Sequence, residues 1–141
     1  MATPHIAGYS MDGKANGTHA VYRAACRCFD VEPVWNPSAA LPPPETPEIS
    51  IVRDDDVEAL LRTIVLAAYP IERDDGALRA VSAEPAHRRA EYFDALRRNY
   101  PARREFPATH IRIDAKPSVS NNKLAEMLRG LGFVVRRRKS A

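Results

Sequence analysis

Basic side chains that could bind a polyanion are concentrated in the second half of the sequence. Residues 82–141 contain 14 Lys and Arg against 6 Asp and Glu, whereas residues 1–81 contain 7 against 12. This asymmetry is typical of a protein whose basic part contacts nucleic acid, because cationic side chains neutralise phosphates. A solvated arginine-rich surface is the alternative interpretation. The clustered cations are Arg97, Arg98, Arg103, Arg104, Arg136, Arg137, Arg138 and Lys139.

An amphipathic helix must position the last of these cations. Apolar residues recur at helical spacing over residues 124–131, which predicts one buried face. Ser120 suits the N-cap of this helix, with Val119 packing back onto its first turn. Gly132 suits the left-handed turn that ends a helix, and a strand over residues 133–135 then leads into the basic run.

Together, the capped helix, the glycine turn and the basic strand resemble the recognition helix and first wing strand of winged helix-turn-helix domains. The closest likeness is to the C-termini of phage and plasmid primase-type proteins, and it covers residues 118–139. The resemblance implies that Asn121, Asn122 and Lys123 contact base edges, since Asn pairs with adenine and Lys reaches guanine or phosphate. It also implies that Arg129 and the basic run contact the phosphate backbone.

The same residues also fit a plain β–α–β unit. Residues 109–114 alternate polar and apolar side chains and predict a strand before the helix. Its isoleucines, Ile111 and Ile113, would then lie beside Val134 and Val135 in one sheet. A helix-turn-helix needs another helix three or four residues upstream, and this strand takes that place, so both arrangements stay open.

Residues that could carry catalysis or bind a metal do not complete a motif. Gly8–Ala15 matches the phosphate-binding pattern G-x-x-x-x-G-K, but Ala15 replaces the Ser or Thr that holds magnesium. The four histidines lack zinc-site spacing. On a helix Cys26 and Cys28 would point apart, and we expect Cys28 in the core. We therefore expect no cofactor, no metal and no enzymatic activity.

A proline-rich stretch divides the chain. Residues 33–47 contain six prolines, a density that neither a helix nor a central strand tolerates. They predict an extended connector between an N-terminal arm (1–32) and a compact domain (48–141). We expect Trp35 to pin the connector to the protein itself; the alternative is contact with a partner. The residues that would meet a protein partner are Trp35, Pro42, Pro43 and Pro44.

The predicted fold class is α+β, mainly helical, with three or four helices and a small two- or three-stranded sheet. The arm carries one helix, from a Thr18 N-cap to about Phe29. A strong amphipathic helix follows a capping box of Asp55 and Glu58, and a short strand is expected just before it. A further helix is predicted from near Ser82, after a brief helical turn.

These features favour a small non-enzymatic nucleic-acid-associated protein that binds DNA or RNA phosphates through its basic half. The alternative is a phage or mobile-element adaptor or inhibitor that binds a host protein or a nucleoprotein complex, partly through residues 1–47. No apolar run approaches the roughly 18 to 20 residues that span a bilayer, and no signal peptide is visible. A cytoplasmic location without membrane contact is therefore expected.

Overall fold

A computed structural model describes residues 1–52, 56–114 and 118–137, with only the backbone of Arg137. The described helices and strands follow one another along the chain in this order: α1 (Met11–Cys28), β1 (Glu48–Ile51), α2 (Val57–Ala68), α3 (Ile71–Ala83), α4 (Arg89–Arg98), β2 (His110–Ile113), α5 (Val119–Gly130) and β3 (Val134–Arg137). Short 3₁₀ turns are Pro37–Ala40, Ala86–Arg88 and Phe106–Ala108.

The three strands form a parallel sheet in the order β1-β2-β3. The register places Ile111 between Ile49 and Val135, and Ile113 beside Ile51. Since alternate residues of a strand share a face, these apolar side chains line one face of the sheet. β2, α5 and β3 therefore form the β–α–β arrangement, with parallel rather than wing-like strands.

The core lies between this apolar face and two helices. Ile64 of α2 and Leu128 of α5 are almost fully buried against the isoleucines of the sheet. The ring of Phe133 stacks on Phe106 with 4.5 Å between centroids. The opposite face of the sheet is polar and exposed, as at Arg112. The predicted fold class, mainly helical α+β, is confirmed, with five α-helices among the described residues.

The sequence predicted α2 and α5 better than their caps. The apolar stripe of α2 packs on the core as expected. Its N-cap is Asp56, which accepts from the Ala59 amide; Asp55 lies outside the described residues. Ser118, not Ser120, caps α5 by accepting from the Asn121 amide. Val119 is 86% exposed, so the packing predicted for it is wrong.

The first helix differs most from its prediction. It begins at Met11, because its N-cap is Ser10, eight residues before the predicted N-cap Thr18. The expected buried face was also wrong: Cys26 is buried and Cys28 exposed. The reason is that Asp30 adopts a left-handed conformation. The chain then folds back across the helix end, where the Val31 amide donates to the Cys26 carbonyl.

The region between α2 and β2 contains more helix than predicted. The brief turn expected there is the 13-residue helix α3. The helix expected from Ser82 is divided, because α3 ends at Ala83 and α4 starts at Arg89 after a 3₁₀ turn. Pro85 follows the end of α3, and its missing amide hydrogen explains the interruption. None of the helices in the described ranges is long and apolar enough to cross a membrane.

The division into arm (1–32), connector (33–47) and domain (48–141) stays a prediction. Within the connector, residues 37–40 form a 3₁₀ turn capped by Asn36. The loop from Ala2 to Ser10, here called the N-terminal loop, packs against the helical part of the domain. Ile6 is 3% exposed and Ser10 is 1% exposed, so this loop is firmly attached.

Candidate functional site: the junction of the N-terminal loop and the domain

The predicted nucleic-acid residues that the structure describes differ in their exposure. Asn121 is 1% exposed and lies inside the fold, whereas Asn122, Lys123 and Arg129 are exposed on α5. Arg136 is exposed on β3. The side chain of Arg137, and all of Arg138 and Lys139, lie outside the described residues.

The arginines near α4 contact the protein's own side chains instead. Arg97 lies over the Tyr9 ring, and Arg103 lies 4.6 Å from the Tyr69 ring centroid. Arg104 forms an ion pair with Asp12, and Arg98 is exposed. Of these four arginines, all except Arg98 are thus half-buried. They lie at one place, where the N-terminal loop and the start of α1 meet residues 97–105.

The predicted partner-binding residues are also spread out. Trp35 packs edge-on against His19 and Tyr22, at 5.7 and 5.5 Å between ring centroids. Its own backbone amide and that of Val34 donate to the Tyr22 hydroxyl. The carbonyl of Pro42 accepts from Arg104; Pro43 is exposed and Pro44 half-buried.

Ser10 anchors the junction. Its hydroxyl accepts from the Gly13 amide, which caps α1, and donates to the Glu105 carboxylate at 2.6 Å. Both interactions satisfy polar groups that would otherwise be buried unpaired. A Cβ at Gly13 would lie 2.8 Å from the Ser10 hydroxyl oxygen, so this position requires glycine. The cap thus joins α1 to a residue more than ninety positions away.

An ion pair reinforces the same contact. Asp12 accepts from the Arg104 guanidinium at 2.9 and 3.0 Å and from the Glu105 amide at 2.8 Å. Its burial raises the pKa of the carboxyl, but the bonds from Arg104 and Glu105 outweigh that effect and the pKa is lowered. Because both side chains are more than four-fifths buried, the pair is screened little by solvent.

Two tyrosines share one carboxylate at the rear of the junction. The hydroxyls of Tyr69 and Tyr100 donate to the same Asp74 oxygen, at 2.7 and 3.0 Å. Burial and the ionised Asp74 raise the pKa of both phenols, so they stay protonated donors. With Arg103 they line a small cavity of about 40 Å³.

Tyr9 carries two cations on its ring. The Lys14 ammonium lies 4.9 Å and the Arg97 guanidinium carbon 5.7 Å from the ring centroid. The ring itself packs edge-on against Tyr100 at 6.1 Å. Cation–π attraction is worth roughly 0.5–2 kcal/mol, so the ring contributes modestly to holding each cation.

His5 stands out for its backbone. Its φ of 57° is in the left-handed region, which costs a non-glycine residue of order 1–3 kcal/mol and concentrates at functional sites. Its amide donates to the Thr3 carbonyl, so a tight turn holds it. Its side chain is exposed next to buried Ile6. The loop therefore presents an imidazole outward from a rigid base.

Comparison with known families shows which family the chain belongs to. A family model described as a domain of unknown function (DUF3410) matches residues 40–132, about two thirds of the chain. The chain belongs to the DUF3410 family. The DUF3410 match includes β1, β2, α2 to α5 and the arginines at the junction, whereas β3 follows its last residue. The N-terminal loop and α1 lie outside it.

Longer relatives cover almost the whole chain. An erythronate-4-phosphate dehydrogenase of Pseudomonas fluorescens is 37% identical over 132 residues, which are 94% of this chain and 34% of the relative. Proteins of the same name from Azotobacter vinelandii and Marinobacter nauticus are 39% and 34% identical, again over 94% of this chain and 34% of the relative. The chain thus spans about a third of the length of the curated relatives it matches.

These relatives overturn the functional predictions. The expected nucleic-acid-associated protein, its nucleic-acid or nucleoprotein partner and the phage or mobile-element alternative are all wrong, since the relatives are named as dehydrogenases. Charge asymmetry misled because it measures only net charge along the chain. In the fold, Arg97 and Arg103 face tyrosine rings, and Arg104 pairs with Asp12. The relatives are named as enzymes, which the expectation of a non-enzymatic protein did not anticipate.

The residues that the sequence analysis missed are crowded into one short stretch. His5, Tyr9, Ser10, Asp12 and Lys14 all lie within ten positions. Gly8–Ala15 lacks the Ser or Thr of a nucleotide-binding loop, so its pattern predicts no site. The density of polar and aromatic groups around Gly8 and Gly13 was the available signal. Their partners on α4 and in residues 103–105 are too distant in sequence for any spacing rule to reveal.

Proposed function

We propose that this chain is part of a dehydrogenase that oxidises a phosphorylated hydroxy acid of the erythronate 4-phosphate type. In this proposal the N-terminal loop faces the reacting hydroxyl, and the DUF3410 domain holds that loop in place. The observation that carries the proposal is the agreement over 94% of the chain with several relatives of one name. Because the alignment covers 132 of the 141 residues, it also includes most of residues 1–39, which lie outside the DUF3410 match.

The hydride acceptor of such an enzyme would bind outside this chain. Dehydrogenases commonly use a nicotinamide or flavin dinucleotide. Its pyrophosphate typically binds at a G-x-G-x-x-G turn between a strand and a helix, and this sequence contains no such motif. The sheet has three strands of four residues each, which is too small for a doubly wound nucleotide domain. The residues present therefore do not fit a dinucleotide site.

His5 is the residue proposed to exchange the proton. Oxidation of an alcohol releases the hydroxyl proton as the C–H bond breaks, and a side chain within hydrogen-bond reach must accept it. Histidine does this most often, because its ordinary pKa lies near neutrality. The exposed imidazole and the strained backbone of His5 support this role. The buried cap at Ser10 supports it too, since it fixes the loop that carries the imidazole.

A chimera tests the proposal. This chain replaces the matching 132 residues of the Pseudomonas fluorescens relative, and oxidation of erythronate 4-phosphate is followed spectrophotometrically. We expect the chimera to keep activity within about tenfold of the parent. His5→Asn in the chimera should lower kcat by about 10²- to 10⁴-fold, the range for loss of a general base.

The matched control is His87→Asn, which changes an exposed histidine of the 3₁₀ turn before α4. It should leave kcat unchanged. A chimera that folds, judged by circular dichroism and gel filtration, but has no activity would contradict the proposed function. Full activity of His5→Asn would contradict the role of His5 alone.

A further inference from the structure

The two cations against the Tyr9 ring lack an acidic partner among the described residues. Lys14 and Arg97 approach the same Tyr9 ring, and within the described part of the chain neither forms a salt bridge. Two acids of the junction are already engaged. Asp12 is paired with Arg104, and Glu105 accepts from Ser10. Both cations therefore contact one aromatic ring, and neither has an ion-pair partner among the residues described.

Arg97 is also incompletely hydrogen-bonded. Its Nε is buried, as is that of Arg103, and for neither does an atom of the described residues accept the hydrogen. A buried donor without a partner costs about 1–3 kcal/mol, more when it is charged. A fold keeps such a group at a functional site when a ligand supplies the missing acceptor. A guanidinium presents a planar fork that matches phosphate oxygens, and a lysine adds a compact point charge.

We propose that Lys14 and Arg97 together bind the phosphate of a phosphate monoester, the terminal phosphate of the substrate. This inference rests on the proposed function and assigns two specificity residues to it. A phosphate monoester carries a charge between −1.5 and −2 at neutral pH, which matches the two cations. A carboxylate, with one negative charge, would leave half of the positive charge unpaired.

The assignment also gives the family domain a direct part in recognition. Arg97 lies inside the DUF3410 match (40–132), and Lys14 lies outside it on α1. The phosphate would bridge these two parts of the chain. His5 lies four positions before Tyr9 on the same loop, and the Tyr9 amide donates to the Ile6 carbonyl in a tight turn. The Tyr9 ring that both cations contact and the proton-exchanging imidazole thus belong to one loop.

Substrate discrimination in the chimera tests the pair. Arg97→Gln and Lys14→Gln should each raise KM for erythronate 4-phosphate about 10- to 100-fold, as expected for losing a charged hydrogen bond. Both should leave kcat/KM for unphosphorylated erythronate within about threefold of the unsubstituted chimera. The matched control is Arg98→Gln, which removes the adjacent exposed arginine of the same helix and should change neither value. Equal losses for both substrates would overturn the inference, since a merely structural role affects them alike.

Binding to this chain alone provides a second measurement. Inorganic phosphate is titrated into the 141-residue chain, and chemical shifts of the arginine and lysine side chains are followed by NMR. We expect saturable shifts of Arg97 and Lys14 in the millimolar range, abolished in the double variant and kept in Arg98→Gln. An active chimera with no phosphate response in this chain, and with unchanged discrimination, would leave the proposed function standing and refute the phosphate site. An inactive chimera with saturable phosphate binding at Arg97 would contradict the proposed function and leave the phosphate site standing.

Discussion

The sheet core and the junction are stabilised by different interactions. In the core, Ile111, Leu124 and Leu128 are fully buried and contact other apolar side chains. At the junction, Ser10 is equally buried but bonds to Glu105, and Asp12 bonds to Arg104. The core tolerates any apolar side chains of suitable volume. The junction depends on particular donors and acceptors, which is what a binding site requires.

The comparison separates the core, which stabilises the fold, from the junction, which carries the proposed site. The apolar core accounts for the fold of the family domain without reference to any ligand. The junction holds buried polar groups, a strained histidine and two cations against the Tyr9 ring, all close to one loop. Such groups lower stability unless each finds a partner. Their concentration at one place is more readily explained by chemistry than by folding.

The largest effect is expected in the core. Leu128→Ala should lower the free energy of unfolding by about 3 kcal/mol, because it removes a fully buried side chain of α5 and leaves a cavity. Urea denaturation followed by circular dichroism measures this. Val119→Ala, on the same helix and 86% exposed, is the control and should cost under about 0.5 kcal/mol. Equal costs for the two variants would show that α5 does not form the core.

An intermediate, pH-dependent effect is expected at the junction. Asp12→Asn should cost about 2 kcal/mol at pH 7, since hydrogen bonds to a charged group are lost. The lowered pKa of folded Asp12 means that its contribution is complete above the unfolded value of 3.8 and is lost as the pH falls through the folded value. The difference between wild type and variant should therefore shrink below about pH 4.

Urea denaturation at pH 7, 5 and 3 measures this dependence. Asp94→Asn, which changes an exposed acid of α4, is the control and should show little cost at any of these pH values. An Asp12→Asn cost that stays constant down to pH 3 would contradict the charged nature of the contact. In that case the junction would resemble the core rather than differ from it.

The smallest effect is expected beyond the junction, at the end of α1. Tyr22→Phe removes the hydroxyl that accepts from the Val34 and Trp35 amides. The free energy of unfolding should change by under about 1 kcal/mol, because these bonds are exposed to solvent. The fluorescence of Trp35, the single tryptophan, should shift to the red as its environment loosens. Tyr92→Phe, on α4 beneath Arg88, should leave the emission unchanged.

The core could be predicted from the sequence because the apolar patterns that form it lie within short stretches of the chain. The apolar stripe of α2 and the alternation in β2 follow periods that a short window reveals, and Gly132 marked the end of α5 correctly, with φ 95°. The junction follows no such period. Ser10 and Glu105 are 95 positions apart and Asp12 and Arg104 are 92 apart, so only the folded chain brings them together.

Helix boundaries failed for a related reason. The sequence offered Thr18 and Ser120 as caps, but the helices begin at the earlier serines, Ser10 and Ser118. Several serines and threonines near a helix start have similar intrinsic preference for the N-cap. Tertiary contacts choose among them, as the Glu105 carboxylate does for Ser10. The site could not be predicted from the sequence for the same reason, because its residues depend on distant partners. The fold class could be predicted, because it follows from local patterns.

The difference in exposure between the two cysteines has a practical use. Cys26 lies beneath the returning chain, whereas Cys28 is exposed at the last turn of α1. A maleimide dye should consequently attach at Cys28 first, without any engineered thiol. Paired with Trp35 as an energy donor, a dye at that position would report the distance between the end of α1 and the proline-rich stretch in solution.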